Sequence, residues 1–308
     1  MIAIDWGSSS LRAYRLDAAG NVVEHRRSDD GVLACDGKFA ATLAPLIAAW
    51  NDADIVLCGM IGSRDGWFEQ PYQDCPAGID ELAAAMTAVE VPEFPGRRLW
   101  FVPGVADRNS ADVPDVMRGE ESQVCALLEL LRQGTHVLCL PGTHSKWITV
   151  QDGRIVSIAT AMTGETFAVM RRHSVLGKLM GKDDSRFDAY AFDAGLRRSA
   201  DAGGLLHHLF GVRTLRLFGR FSEAAVPSYL SGLLIGHEVR ASGLFSRTPR
   251  PAQVHVIGND RLIDAYARAL VALGVGVQRH AESLAAYGMH RLSRSLKTPR
   301  PVGTDCGD

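Results

Sequence analysis

Asp5, Gly7, Ser8, Ser9 and Ser10 crowd one short stretch at the start of the chain. A β-branched run ends in the acid, and a small flexible turn follows. Gly7 lets the backbone turn tightly and approach a ligand. Successive N–H groups and hydroxyls in such a turn can face phosphate oxygens. Asp5, at the strand tip, is placed to hold Mg²⁺ through water. A second polar turn follows another apolar run: Gly142, Thr143, His144, Ser145 and Lys146. There Lys146 either balances phosphate charge or sits in solvent, and His144 is either a ligand or a loop hydrogen-bonder. Gly258 and Asn259 open a predicted helix, which suits an anion or an adenine ring near the backbone but equally an ordinary helix cap. Glu120 and Glu121 lie near the start of another predicted helix, where acids favour the helix dipole.

The elements that must carry these groups alternate. Strands are expected at 2–5, 11–16 and 22–25, with turn residues between them. Residues 38–50 read as a helix because Phe39, Leu43, Leu46, Ile47 and Trp50 recur at steps of three and four. A buried strand at 54–58 runs into a glycine-punctuated loop, 59–67, of the kind that binds ligands beyond strands of open α/β sheets. A helix over 79–89 and a strand over 99–102 complete one α/β domain. A long helix is expected from 115, with Val124, Leu127, Leu128 and Leu131 as its stripe. Strands at 136–140, 147–150 and 155–159 repeat the opening pattern of strand, polar turn, strand, turn, strand. Helical material from 163 to about 210, a helix at 226–243, a strand at 254–257, a helix at 262–273, a strand at 275–278 and a helix at 281–292 follow. From Ser293 on the composition predicts a loose tail. Two domains result, 1–116 and 117–292, with a tail at 293–308, and the repeat is one of architecture.

Bulk properties set limits. The 308 residues exceed what one core normally organises. With 46% hydrophobic and 22% charged residues, the composition is that of a globular protein. A net charge of −2 gives no pull toward nucleic acid or anionic membrane. No signal-peptide pattern and no bilayer-length apolar stretch stands out, so the cytoplasm is the expected address. The six cysteines form no C-x-x-C pair and read as reduced packing residues. Walker A, G-x-G-x-x-G, protein-kinase and G-x-S-x-G patterns are missing.

The order of the pieces resembles the actin, hexokinase and Hsp70 superfamily of ATP-driven phosphotransferases. More closely, Asp5-Trp6-Gly7, GMIGSRDGW at 59–67, PDVMRGEE at 114–121, LPGTHSKW at 140–147 and MTGE at 162–165 are similar to the 2-dehydro-3-deoxygalactonokinase family, to about residue 292. Ser8 stands where relatives often carry Thr. The resemblance implies two actin/hexokinase-like (ribonuclease H-like) α/β domains flanking an ATP cleft. It also implies transfer of the ATP γ-phosphate to the terminal hydroxyl of 2-dehydro-3-deoxy-D-galactonate. By the same resemblance Asp5, Gly7, Ser8, Ser9, Ser10, Arg12, Gly142, Thr143, His144, Ser145 and Lys146 hold phosphates and Mg²⁺, with Asp5 on the metal. Gly258 and Asn259 border the adenosine. Gly62, Ser63, Arg64, Trp67, Arg118, Thr163 and Glu165 bind the sugar acid, with Arg64 and Arg118 as cations for its carboxylate. The general base falls on Glu120, Glu121 or Asp115, with Glu120 favoured. The partners are small molecules, and a homodimer is admitted. The rival readings are a kinase of another sugar or keto-sugar acid, such as 2-keto-3-deoxygluconate, and a non-catalytic nucleotide switch.

Overall fold

The computed structural model describes residues 1–109, 112–181, 186–246 and 251–297. By contacts it divides into two compact units: Met1–Thr135 with Val150–Ile158 and the chain from Glu282 on, and His136–Thr149 with Ala159–Ala281.

The first unit is built on β1 (Ile2–Trp6), β2 (Leu11–Leu16) and β3 (Val22–Ser28). Its helix α1 (Phe39–Ile47) leads to β4 (Asp54–Gly59). Then come β5 (Gln73–Asp74), α2 (Ile79–Ala84), β6 (Thr87–Val89), β7 (Arg98–Phe101), β8 (Val105–Asp107), β9 (Asp115–Met117) and α3 (Glu120–Cys125). The six-stranded sheet has the order β3-β2-β1-β4-β7-β6. β1 pairs antiparallel with β2 and parallel with β4, so Asp5 faces Arg12 on one side and Cys58 on the other. The apolar faces of β1, β4 and β7 bury Ile2, Ile4, Trp6, Ile55, Leu57 and Phe101 against Leu43, Ile47 and Trp50 from α1 and its end. That burial is the main stabilising term of the unit.

Two expected helices are shorter than their apolar pattern. The predicted helix over 79–89 stops at Ala84, and Thr87–Val89 forms an edge strand on β7. Two of those three residues are β-branched, and the open sheet edge offers them hydrogen bonds. The helix expected from 115 begins instead at Glu120. Asp115–Met117 pairs with β8 in a separate three-stranded sheet, β5-β8-β9. Gly119, at φ 112°, makes the turn between strand and helix in a region that favours glycine. Val124, Leu127, Leu128 and Leu131 are buried as expected, although the regular helix has ended by Cys125.

The rest of the chain up to Ala281 forms β10 (Thr135–Leu140), β11 (Ser145–Gln151) and β12 (Arg154–Ala161), whose residues 150–158 count with the first unit, then α4 (Thr163–His173), α5 (Ala189–Arg198), α6 (Gly204–Leu217), α7 (Val226–Ala241), β13 (Gln253–Gly258), α8 (Asp260–Ala272) and β14 (Gly276–Ala281), and these strands build one further sheet. Its order is β12-β11-β10-β13-β14, with β10, β13 and β14 parallel. This repeats the first five positions of the other sheet. α5 and α7 pack backbone to backbone: a Cβ on Gly232 would stand 2.0 Å from the Phe192 carbonyl oxygen, and one on Gly195 2.1 Å from that of Tyr229.

The last helix, α9 (Leu284–Lys297), returns to the first unit. It buries Ala285, Ala286, Met289 and Leu292 and approaches α3 so closely that a Cβ on Gly288 would lie 1.7 Å from the Ser122 carbonyl oxygen. This packing draws α3 into the first unit, which therefore reaches past residue 116. α9 also continues beyond Ser293, the expected start of a loose tail, because Ser293 is buried on the same face. Residues 298–308, with Cys306, lie outside the described residues. Among the described residues the cysteines are free, and no helix is long and apolar enough to cross a membrane.

Candidate active site

In the first unit the turn after β1 is closed by the Gly7 N–H donating to the Ser10 carbonyl at 2.9 Å. The loop below it donates from Val32 to Gly7 O at 3.0 Å and from Leu33 to Ser8 O at 3.3 Å. That support needs Gly31, whose Cβ would fall 2.2 Å from Ser8 O. Ser8 and Ser9 are exposed at the tip, with Ser10 half-buried. Asp5 accepts from Arg12 at 3.0 Å, and Arg12 also reaches Glu282 at 3.2 Å. Burial pushes the Asp5 carboxyl up from its ordinary value, and the Arg12 guanidinium pulls against it.

α3 starts against the tips of these strands. Gly59, at the end of β4, has φ 92°, and a Cβ there would lie 2.7 Å from Trp6 O. A Cβ on Gly119 would in turn meet the Gly59 Cα at 3.1 Å. The two glycines thus bring the first turn of α3 alongside β4. Glu120 is half-buried and accepts the Arg118 N–H at 3.1 Å. Glu121 is fully buried, accepts the Gly119 N–H at 2.6 Å, and keeps its other oxygen unpartnered. Burial, and then the neighbouring Glu120, push the Glu121 carboxyl up to about 8. Asp115 lies in β9 and accepts the N–H of Val116 at 2.7 Å.

The loop at 59–67 and residue 118 do come together. Arg118 donates to Gln70 O at 2.8 Å, lies 4.2 Å over the Tyr72 ring, and would meet a Gly62 Cβ at 3.3 Å from Nη1. Its Nε and Nη1, with Ser63 Oγ and Gln70 Oε1, are buried polar atoms without a partner. Such atoms are costly in a finished interior and mark where polar groups of a ligand would be satisfied. Arg64 is exposed, whereas Trp67 stacks on Phe39 and Phe68 at the edge of the core. Gln70 and Tyr72 escape sequence reasoning; their signal was only that they follow the glycine loop by a few residues.

In the second unit the other turn is equally supported. The Thr143 carbonyl accepts the Glu165 N–H at 2.9 Å, and Gly164 sits so close that its Cβ would be 2.2 Å from Gly142 O. His144 Nε2 and Glu165 lie 2.5 Å apart. Ser145 and Lys146 are buried, with the Lys146 ammonium donating to Thr160 at 2.9 Å. Lys146 is therefore not a solvated surface charge. Asn259 caps α8 by accepting the Leu262 N–H at 3.0 Å, and Gly258 lies beside Pro141. Gly142, Thr163, Gly164, Asn259, Leu262 and Tyr266 line one cavity of about 320 Å³. Its apolar walls include Phe167, Leu234 and Ile235, which suits an aromatic base better than a sugar acid. Thr163 belongs to this cavity and Glu165 to the turn beside it.

Comparison with known proteins identifies the family. The family model for 2-keto-3-deoxy-galactonokinase matches residues 5–292. A curated relative from Escherichia coli (strain K12), 2-dehydro-3-deoxygalactonokinase, is 34% identical over 279 residues, covering 90% of this chain and 91% of its own. One from Rhizobium meliloti (strain 1021), named a probable 2-dehydro-3-deoxygalactonokinase, is 33% identical over 306 residues, 96% of each chain. A crystal structure from Sinorhizobium meliloti, given as a candidate enzyme of the same name, superposes with a TM-score of 0.85 at 33% identity, covering 98% of this chain and 99% of that one. The repeated sheet order is that of actin/hexokinase-like, ribonuclease H-like domains. The chain belongs to the 2-keto-3-deoxy-galactonokinase family.

Proposed function

We propose that this chain is an ATP-dependent kinase that phosphorylates the terminal (6-) hydroxyl of 2-dehydro-3-deoxy-D-galactonate, a step in D-galactonate breakdown. The observation that carries the residue-level reading is the start of α3, where Glu120 and Arg118 stand beside the tips of β1 and β4. Phosphoryl transfer needs positioning, charge neutralisation and an acceptor for the hydroxyl proton. Glu120 is the base in this reading, because Glu121 is sealed from any substrate and held protonated at neutral pH. Asp115, the third carboxylate, is tied to its own strand. Arg118, with Ser63 and Gln70 beside it, has the unpartnered donors and acceptor that a carboxylate and hydroxyls of the sugar acid would satisfy.

The cavity of the second unit takes the adenosine, with Asn259 and Tyr266 in its wall, and the turn from Gly142 to Lys146 takes phosphate oxygens. Among the described residues no group of three or more His, Cys, Asp or Glu could hold a metal unaided. That fits Mg²⁺ that arrives on the nucleotide and needs one protein carboxylate through water, for which Asp5 is the residue. When bound, Mg²⁺ neutralises charge on the phosphates. Arg12 would orient Asp5 through its 3.0 Å ion pair.

The test is ADP release over a panel of sugar acids. The highest kcat/KM is expected for 2-dehydro-3-deoxy-D-galactonate. A higher value for the gluconate-derived epimer would replace the substrate, and no turnover on any acid would favour a nucleotide switch.

A further inference from the structure

We infer that Glu238, a carboxylate buried inside α7, is the positioning residue of the nucleotide pocket, holding its walls in register through hydrogen bonds to several elements. The inference rests on the kinase reading above. α7 is apolar nearly all round: Leu230, Leu233 and Leu234 enter one core cluster, and Ile235 and Val239 another. An acid in such a helix is expensive unless its oxygens are satisfied. Here they are. Trp147 Nε1 of β11 donates to one oxygen at 2.8 Å, and the Tyr266 hydroxyl of α8 donates to the other at 2.6 Å. The side chain of Thr163, first residue of α4, hydrogen-bonds the same carboxylate, and Ser145, first residue of β11, joins the network by donating to the Tyr266 hydroxyl at 2.7 Å.

The donors are spread over the structures that form the pocket. Thr163 and Tyr266 line the cavity directly, Ser145 belongs to the polar turn, and Trp147 anchors the strand that leaves it. Glu238 itself does not line the cavity. Its effect on a nucleotide therefore passes through the residues it holds. A carboxylate is suited to this task because it accepts on both oxygens, whereas an amide must turn an N–H toward one of the donors.

The experiment measures binding of ADP with Mg²⁺, and separately of the sugar acid, to the full chain by calorimetry, with ATP and sugar-acid KM and kcat alongside. Glu238→Gln is expected to weaken ADP about 10- to 100-fold, the cost of disturbing charge-assisted hydrogen bonds, and to raise the ATP KM while kcat changes less than ~3-fold. Sugar-acid affinity should stay within ~2-fold. Trp147→Phe removes one donor without altering a cavity residue and should weaken ADP by about 3- to 10-fold. It decides the matter if Glu238→Gln does not fold. Variants that melt earlier yet bind ADP as the wild type does would reduce Glu238 to a structural residue and overturn the inference alone. A wild-type chain that binds no ADP would overturn the kinase reading with it.

Discussion

Glu121→Gln isolates the cost of a buried acid at the start of α3. In the folded chain the carboxyl is pushed up to about 8 from an ordinary 4.5, chiefly by burial. Below the lower value folded and unfolded chains are both protonated, and the acid carries no penalty. As pH rises, the unfolded chain ionises first, so stability falls by ~1.4 kcal/mol per pH unit until the folded carboxyl itself titrates near 8. At pH 7 the wild type has thus lost ~3 kcal/mol to this one group. Glutamine can still accept the Gly119 N–H with its carbonyl oxygen, and it cannot ionise. Its melting temperature relative to the wild type should therefore climb steadily between pH 5 and pH 8 and level off above. At about 2–4 °C per kcal/mol the climb is roughly 3–6 °C per pH unit. Calorimetric scans of both chains at unit pH steps from 5 to 9 read it directly. Because the slope is the signal, any fixed cost of a buried amide N–H cancels. A gap that stays flat across that range would mean Glu121 ionises normally in the fold, and its exclusion as the base would lose its ground.

The other substitutions test neighbouring steps. Glu120→Gln should lower kcat by at least ~100-fold at pH 7 while ADP affinity holds within ~2-fold, measured by steady-state kinetics and calorimetry; a kcat within a few-fold of wild type moves the base elsewhere. Arg118→Met keeps an unbranched stem but removes the guanidinium that lies over Tyr72, and should raise the sugar-acid KM by about 10- to 100-fold with the ATP KM unchanged; equal effects on both substrates would assign Arg118 a structural task. Gly288→Ala puts a methyl 1.7 Å from the Ser122 carbonyl. It should cost about 1–3 kcal/mol or more in denaturant unfolding, and an unchanged midpoint would refute the tight α3–α9 approach.

The scaffold was legible because its strands are short apolar runs that end in turn residues. Ile55, Val56, Leu57 and Cys58 before Gly59, and Val137, Leu138, Cys139 and Leu140 before Pro141, are buried on both faces. The two polar turns could be located for the same reason. What stayed hidden depends on pairing and distance. β9 has three residues and becomes a strand only because β8 lies beside it. The Glu238 network joins partners 91 and 28 residues away. Its signal was present as a lone acid amid Leu233, Leu234, Ile235 and Val239, but only the fold names the donors. Glu120 and Glu121 are adjacent and identical in type. Helix phase alone buries one of them and leaves the other half-exposed.

In the proposed function, the repeated sheet order lets one architecture serve two chemistries. β1, β2 and β4 occupy the positions that β10, β11 and β13 hold in the other sheet. At the first tip stands Asp5, and β4 ends in a glycine that makes room for Glu120 and Glu121 beside it. At the second, Leu140 and Pro141 stand where Asp5 would be expected, and β13 passes directly into α8 through the Asn259 cap. The first copy therefore gathers carboxylates, which suit a metal-bridged phosphate and a hydroxyl proton. The second offers hydroxyls, a helix N-terminus and an apolar cavity, which suit phosphate oxygens and an aromatic base. Exchanging Asp5 for Asn should then impair catalysis while leaving the nucleoside end of the ligand as firmly held as before, since no residue of that cavity belongs to the first unit.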